Sequence, residues 1–377
     1  MITTDRFCDE IAARNIVFVS GVPCFYFSGP IERLTSKGRY VPAANEGAAL
    51  ALAAGATAAG ARSAVIAQNS GLGNLINPLT SLHMTYSIPV LVFMSLRGWP
   101  DPRHDEPQHA VMGTSTHRLL DAIDVAHWTL SQDATSMVNL LDAAEQELAV
   151  GRPAFILAEK GAIETYRSEP SQRDSRLLTR AQALATQMPM LAGLPVVSTT
   201  GYTSRELFAN GDAATHFYMQ GSMGHAPSFG LGLALAAPTG RSVVILDGDG
   251  AALMHLGAMS TIGAHAPLSL LHVIFDNHSY ESTGAQSTTA ATTDFAALAR
   301  AVGYASGQTC HTAGNIEAAT AAALTRPGPH LVVIPVARAC GAPAARATSV
   351  LSATHIHHRL SVALGVTQPW ADPIAEL

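Results

Sequence analysis

Lysine is almost missing from this 377-residue chain: of 22 basic residues only Lys37 and Lys160 are lysines, and the arginines form no basic run. Charged residues make up 13% of the sequence and the formal net charge is −6. A nucleic-acid backbone therefore has no positive surface to meet, which argues against that class of partner. Long apolar runs are absent too. Uncharged stretches such as 47–61 are rich in alanine and glycine, too weakly apolar to span a membrane. No basic-then-apolar segment opens the chain as a leader would. Cysteine is scarce: Cys8, Cys24, Cys310 and Cys340 show no CxxC spacing, which argues against a disulfide framework, a thiolate metal centre and an iron–sulfur oxidoreductase. Free thiols fit a cytoplasmic enzyme. No internal repeat is visible.

What the chain does have is apolar runs that end in glycine and acid. Residues 242–246 lead into Asp247-Gly248-Asp249-Gly250. A helical segment follows over about 251–263, and a second apolar run, 268–275, ends in Asp276-Asn277-His278-Ser279. Strand, helix and strand in that order make a βαβ unit, whose parallel strands end side by side. Asp249 and Asn277 then offer oxygens to one hard cation, and magnesium leaves coordination positions for phosphate oxygens. Gly248 and Gly250 let the backbone approach a phosphate. Gly-Asp-Gly alone reads as a tight strand-to-helix turn. The second member at the neighbouring strand end shifts the reading to a ligand site, at the edge where open α/β sheets bind ligands.

A second constellation lies in the other half. Val41-Pro42-Ala43-Ala44-Asn45-Glu46-Gly47 opens an alanine-rich helix to Gly60, and a strand at 63–68 leads into Asn69-Ser70-Gly71-Leu72-Gly73-Asn74. Strands are expected at 16–20, 90–94 and 154–158, with a helix from Asn77. After a polar linker at 167–175 come a helix over 176–188 and a strand at 195–199. Thr203-Ser204-Arg205-Glu206 matches a capping box, placing a helix start at Ser204. The expected fold class is α/β, with two doubly wound parallel-sheet domains. They cover 1–168 and 193–377, joined by a linker and connecting helix over 169–192, with no room for a third domain.

The paired Gly-Asp-Gly and Asp-Asn strings resemble the diphosphate and magnesium motif of thiamin diphosphate enzymes. Longer strings narrow the resemblance. Those from Gln68 to Leu82, Ser87-Ile88-Pro89-Val90, Leu96-Arg97-Gly98 and Asp105-Glu106-Pro107-Gln108-His109 look like the phosphonopyruvate and sulfopyruvate decarboxylase family. So do those from Thr199 to Leu207, Gly221-Ser222-Met223-Gly224-His225, Gly248 to Gly257, and Glu281 to Gln286. The resemblance runs from Gly21 to about Val336. It implies the thiamin diphosphate-binding fold, with 1–168 as pyrimidine domain and 193–377 as diphosphate domain. The implied reaction converts 3-phosphonopyruvate to phosphonoacetaldehyde and carbon dioxide, in the biosynthesis of phosphonate natural products, antibiotics among them. Sulfopyruvate decarboxylation, carboligation and a catalytically silent partner subunit are the alternatives. Keeping Glu46, Asp249 and Asn277 in one chain speaks against the last.

The same resemblance implies thiamin diphosphate and Mg2+ as cofactors and assigns roles. Asp249, Asn277 and the carbonyl of Ser279 hold the metal. Glu46 hydrogen-bonds the aminopyrimidine and activates the cofactor; read by itself, it is a first-turn acid favoured by the helix dipole. Gly221, Ser222 and Met223 contact the aminopyrimidine, with Met223 as a wedge rather than core filler. Gly71, Asn74, Thr200, His225, Gly248, Gly250 and Ala251 complete the cofactor-binding set, His225 having a helix cap as its other reading. Read from position rather than from the resemblance, Arg97, at a strand end, and Arg346 are the candidates to receive the substrate's anions, with solvated surface charge as their other reading, and Cys24 lies in the loop after the first strand. Asp105, Glu106 and His109 are catalytic residues of a loop, or else an acidic turn in which Pro107 starts a helix. His355, His357 and His358 read as a surface helix rather than a metal site. Two departures from the family bear on the substrate: Cys24-Phe25-Tyr26-Phe27 replaces small polar residues, and 337–348 lacks Leu-Gly-Arg-Pro. The partners implied are a small 2-oxoacid and a second copy of the chain, since Glu46 and the metal ligands fall in different domains; neither nucleic acid nor membrane is among them.

Overall fold

The computed structural model describes residues 1–132, 134–166, 176–237, 240–339 and 342–366, so the linker expected at 167–175 lies outside the described residues, as does Cys340. The chain divides into two units, Met1–Ser168 with Ser282–Gln286, and Glu169–Glu281 with Ser287–Leu377.

The first unit is built on six parallel strands: β1 (Ile16–Gly21), β2 (Tyr40–Pro42), β3 (Arg62–Gln68), β4 (Leu91–Ser95), β5 (Ala126–Leu130) and β6 (Ala154–Ala158). Their order across the sheet is β2-β1-β3-β4-β6-β5. Both faces are covered. Along β3, Ala64 and Ile66 join a core with Phe7, Phe27 and Phe93, while Val65 and Ala67 join another with Leu50, Leu72 and Leu75. Burial on both faces is why these parallel strands read as continuous apolar runs.

The second unit repeats the plan. It contains β7 (Val196–Ser198), β8 (His216–Tyr218), β9 (Val243–Gly248) and β10 (Leu270–Asp276). Two short strands follow, β11 (Ser279–Tyr280) and β12 (Gln286–Ser287), then β13 (Ser306–Thr309) and β14 (His330–Pro335). The six-stranded parallel sheet has the order β13-β14-β10-β9-β7-β8. Leu271, Val273 and Phe275 of β10 face one core, Leu270 and Ile274 the other. The chain is thus α/β with two parallel-sheet units, as its alternating pattern leads one to expect. The expected set lacks β2, β5, β8 and β13 because edge strands carry no sustained apolar run; β13 is Ser-Gly-Gln-Thr. It also lacks the apolar central strand β14.

Four local expectations are corrected. The single helix expected over 251–263 is two helices, Asp249–Met254 and Gly257–His265, because His255 leaves helical geometry at φ −133° and ψ 54°. The helix expected from Asn77 begins at Leu72 and passes after Pro78 into a π-helical turn, Leu79–Met84. Thr203 to Glu206 is no capping box: the helix is Tyr202–Asn210, and its N-cap Gly201 has no side-chain bond. Ser204 instead donates from Oγ to the Thr199 carbonyl at 2.7 Å. The actual capping box is Thr179 with Gln182, opening the helix Arg180–Leu191 rather than 176–188. That helix is part of the second unit, packed against the helices Ala313–Thr325 and Tyr202–Asn210 rather than standing as a connector.

Candidate active site

In the first unit the carboxyl ends of β1, β2, β3 and β4 lead into the polar residues. Asn45 caps the helix Glu46–Ala58, its side chain accepting from the Ala48 amide at 2.9 Å. Glu46 therefore starts a helix, where the dipole favours its charge. It is nevertheless buried, 6% exposed, and Asn74 donates from Nδ2 to its Oε2 at 2.7 Å. Gly71 lies against the same carboxylate: a Cβ there would sit 2.2 Å from Glu46 Oε1. Gly71 and Asn74 thus act on Glu46 itself, one giving it room and the other fixing its direction.

Arg97 follows β4 and is committed to Asp105. Its Nε donates to Asp105 Oδ2 at 2.7 Å, and Nη2 donates to Oδ1. Asn69 brackets the Arg97 backbone, accepting from its amide at 3.1 Å and donating to its carbonyl at 2.9 Å. The ring of Tyr26 lies 5.6 Å from the guanidinium carbon, within cation–π range. The amides of Gly98 and Glu106 also donate to Asp105, at 2.8 and 2.7 Å, and His109 Nδ1 lies 3.0 Å from its Oδ1. Burial works against the Asp105 charge, but the hydrogen bonds from Arg97, His109, Glu106 and Gly98 outweigh it and hold the carboxyl well below its ordinary range. Burial, and then the charge of Arg97, push the His109 imidazole below its ordinary pKa. His109 ends a 3-10 turn opened by Pro107, after which the helix Ala110–Ala122 begins. Cys24 is buried, its Sγ 3.8 Å from the Ala67 carbonyl. Burial pushes its thiol up to about 11, so it offers no charge to a substrate anion.

In the second unit the register of β9 and β10 pairs Gly248 with Phe275, so Asp249 and Asn277 emerge from adjacent strand ends. Asp249 is buried and accepts at Oδ2 from the Thr288 hydroxyl, 2.6 Å away. Burial pushes its pKa up to about 6 against that bond, and the neighbouring Asp276 adds to the rise. Asn277 Oδ1 accepts from the Ser279 amide at 2.9 Å. Two oxygen donors on adjacent strand ends, one a buried carboxylate beside a second carboxylate, suit a hard divalent cation, which would relieve the crowding of negative charge. The residues present therefore fit Mg2+. Gly250 has a further reason to be glycine: a Cβ would lie 2.5 Å from the Tyr280 ring. At Gly248 a Cβ would meet nothing within 4 Å, and Ala251 is buried in the helix that follows.

The Gly221 to His225 turn follows the strand-end region of β7 and β8. Gly221, Ser222 and Gly224 have positive φ, and the Gly221 amide donates to Thr200 Oγ1 at 3.2 Å. Met223 is half-buried. His225 is the N-cap of the helix Ala226–Ala236 without a side-chain cap bond; its Nδ1 lies 3.2 Å from the Ser222 carbonyl and its ring 4.3 Å from that of His255. Arg346 caps the short 3-10 helix Ala347–Ser349. The histidines 355, 357 and 358 lie on the helix Ala353–Ala363, and among the described residues no three or more His, Cys, Asp or Glu side chains gather as metal ligands.

Structure thus brings Glu46, Gly71 and Asn74 together, then Arg97, Asp105 and His109, then Asp249 and Asn277. The first two groups belong to the first unit, the third to the second. Several residues to which the sequence assigned no role join them. Thr288 holds Asp249, Asn69 and Tyr26 hold Arg97, and Gln68 Nε2 lies 3.4 Å from His109 Nε2. In the second unit a buried Arg180 pairs with Glu206 at 2.9 Å and with Glu281. No sequence signal identifies that triad, since its members are far apart in the chain.

Two parallel-sheet units, each with its own group of polar residues at strand ends, are the pattern of a thiamin diphosphate enzyme. Residues 199–334 match the family described as "Thiamine pyrophosphate enzyme, C-terminal TPP binding domain". The whole chain places it more narrowly. It is 42% identical over 342 residues to the phosphonopyruvate decarboxylase of Streptomyces viridochromogenes, covering 85% of each chain. Over 356 residues it is 40% identical to that of Streptomyces hygroscopicus, covering 89% of this chain and 88% of the other. The sulfopyruvate decarboxylase of Methanosarcina acetivorans is 28% identical over 307 residues, 76% of this chain and 78% of that one. The chain belongs to the phosphonopyruvate decarboxylase family.

Proposed function

We propose that the chain decarboxylates 3-phosphonopyruvate to phosphonoacetaldehyde and carbon dioxide with thiamin diphosphate and Mg2+. The observation that carries the chemistry is Glu46: a buried carboxylate at a helix start, given room by Gly71 and oriented by Asn74. When bound, the cofactor supplies the electron sink for the pair left as carbon dioxide departs. Glu46 holds the aminopyrimidine and its proton at N1′. Asp249, Asn277 and the Ser279 carbonyl hold Mg2+; Gly248, Gly250, Ala251, Thr200 and the turn from Gly221 through Ser222 and Met223 to His225 hold the rest of the cofactor. Arg97, bonded to Asp105 through Nε and Nη2, and Arg346 receive the substrate's anions.

Phosphonopyruvate is favoured over sulfopyruvate because the phosphonopyruvate relatives are the more similar over comparable lengths. Glu46 and Asp249 lie in separate units, and this supports a homo-oligomer with the cofactor between subunits, working in the cytoplasm on a step of phosphonate antibiotic biosynthesis. Among the described residues no helix is long and apolar enough to cross a membrane. The test is turnover of 3-phosphonopyruvate by wild type and Glu46→Gln. The variant is expected to bind cofactor and to lose most turnover, and wild-type rates in it would refute the assigned role.

A further inference from the structure

We propose that Asp105 is a positioning residue that holds His109 with a lone pair on Nε2 turned to the substrate, so that the site selects a phosphonate still carrying one proton over a fully deprotonated sulfonate. The inference rests on the substrate assigned above and deepens it.

The argument begins at Asp105. Its two oxygens already accept four hydrogen bonds, from Arg97 Nε, Arg97 Nη2, Gly98 N and Glu106 N. A carboxylate so surrounded stays ionised and accepts only. The contact with His109 Nδ1 at 3.0 Å is therefore a hydrogen bond donated by the ring, and Nδ1 carries the proton. Burial and Arg97 disfavour a second proton on the imidazole. Nε2 is then an acceptor, and the amide nitrogen of Gln68 at 3.4 Å is a weak donor to it, one that a better donor replaces. Tautomer control of this kind, by a carboxylate behind a histidine, is what orients catalytic imidazoles generally.

The frame is rigid. Asn69 pins the Arg97 backbone and Tyr26 lies on its guanidinium. Gly98, at φ +72°, packs so closely on Gly113 that a Cβ on the latter would lie 2.0 Å from the Gly98 carbonyl oxygen. The charged or titratable groups around the imidazole are Arg97, Asp105 and Glu106, and Tyr26 lies against Arg97. A phosphoryl group loses its second proton at about pH 6 in a phosphorylated side chain, so near neutrality a phosphonate still presents some P–OH to an acceptor. A sulfonate has no such proton and meets the lone pair with repulsion. A binding site that must pair a buried polar atom discriminates strongly against a ligand that cannot do so.

The experiment is the pH dependence of KM for 3-phosphonopyruvate between pH 6 and 8.5, with the inhibition constant of sulfopyruvate, in wild type and His109→Gln holoenzyme. Wild-type KM is expected to rise about tenfold per pH unit once the phosphonate has lost its second proton. In His109→Gln, whose amide both donates and accepts, that rise flattens, and preference for phosphonopyruvate over sulfopyruvate falls at least tenfold. A purely structural role for His109 would not move the pH profile. A flat wild-type KM overturns the inference by itself, whether or not the variant folds, and so does an unchanged preference in a folded variant. A wild type silent on 3-phosphonopyruvate refutes the assigned substrate and this inference with it.

Discussion

The Gly71→Ala substitution isolates what the Asn69 to Asn74 turn does for Glu46. The new methyl carbon would sit 2.2 Å from Oε1, 2.3 Å from Cδ and 2.6 Å from Cγ of Glu46, far inside contact distance. Gly71 closes the 3-10 turn Asn69–Gly71 and is the N-cap of the helix Leu72–Pro78, so the flexible carboxylate side chain must yield rather than the backbone. Rotating it breaks the 2.7 Å bond from Asn74. Loss of a hydrogen bond to a charged group costs about 1.5–3 kcal/mol, and a shift of about 1 Å in a catalytic group costs on the order of a hundredfold in rate. We expect Gly71→Ala to lower kcat by about two orders of magnitude at saturating cofactor while Tm falls by only about 3–12 °C, taking roughly 2–4 °C per kcal/mol. Gly73→Ala is the matched control. Its Cβ meets nothing within 4 Å on the exposed side of the helix, so it should keep full activity and gain up to about 1 kcal/mol of helix stability. Steady-state rates and thermal melts of both proteins suffice. A Gly71→Ala enzyme within threefold of wild type would show that the carboxylate does not need its observed place.

Other predictions concern the second unit. Thr288→Val removes the donor to Asp249 Oδ2 and is expected to weaken Mg2+ affinity by about tenfold or more, as loss of a group supporting a metal ligand does; titration calorimetry with Mg2+ and cofactor checks it. Arg180→Ala leaves Glu206 and Glu281 without their buried cation, which should destabilise the protein by about 3–5 kcal/mol in chemical denaturation, and a loss under 1 kcal/mol would contradict the pairing. His216 is buried, and burial pushes its pKa down to about 4 from 6.5. The unfolded chain thus binds a proton in that window which the folded chain refuses, so stability should fall as pH drops from about 6.5 to 4, by about 3 kcal/mol in all. Denaturation midpoints across that range should fall more steeply in wild type than in His216→Gln, and equal slopes would contradict the assignment.

Much was legible along the chain because it is local. The helix opened by Asn45 and Glu46, the glycine turn after β3 and the Gly-Asp-Gly end of β9 each lie within one strand-to-helix junction. The βαβ order alone places Asp249 beside Asn277, since parallel strands joined by a crossover end together. The α/β class with two sheets followed from alternating apolar runs, and the low charge and scattered cysteines narrowed the chemistry before any motif was read.

Pairing across loops was not legible. Arg97 reads in the sequence as a cation for substrate, but nothing along the chain shows that the path of 98–104 returns Asp105 onto its guanidinium. Thr288 reaches Asp249 from 39 residues away and Glu281 reaches Arg180 from 101; neither spacing has a period to detect. Glu206, placed by its local sequence in a capping box, leaves the backbone for Arg180 because a buried guanidinium is the stronger partner. Short-range backbone geometry and hydrophobic alternation belong to neighbouring residues and are written in order along the chain. Which carboxylate meets which cation, and which tautomer a histidine holds, depends on where loops return in three dimensions, and only the tertiary structure decides it.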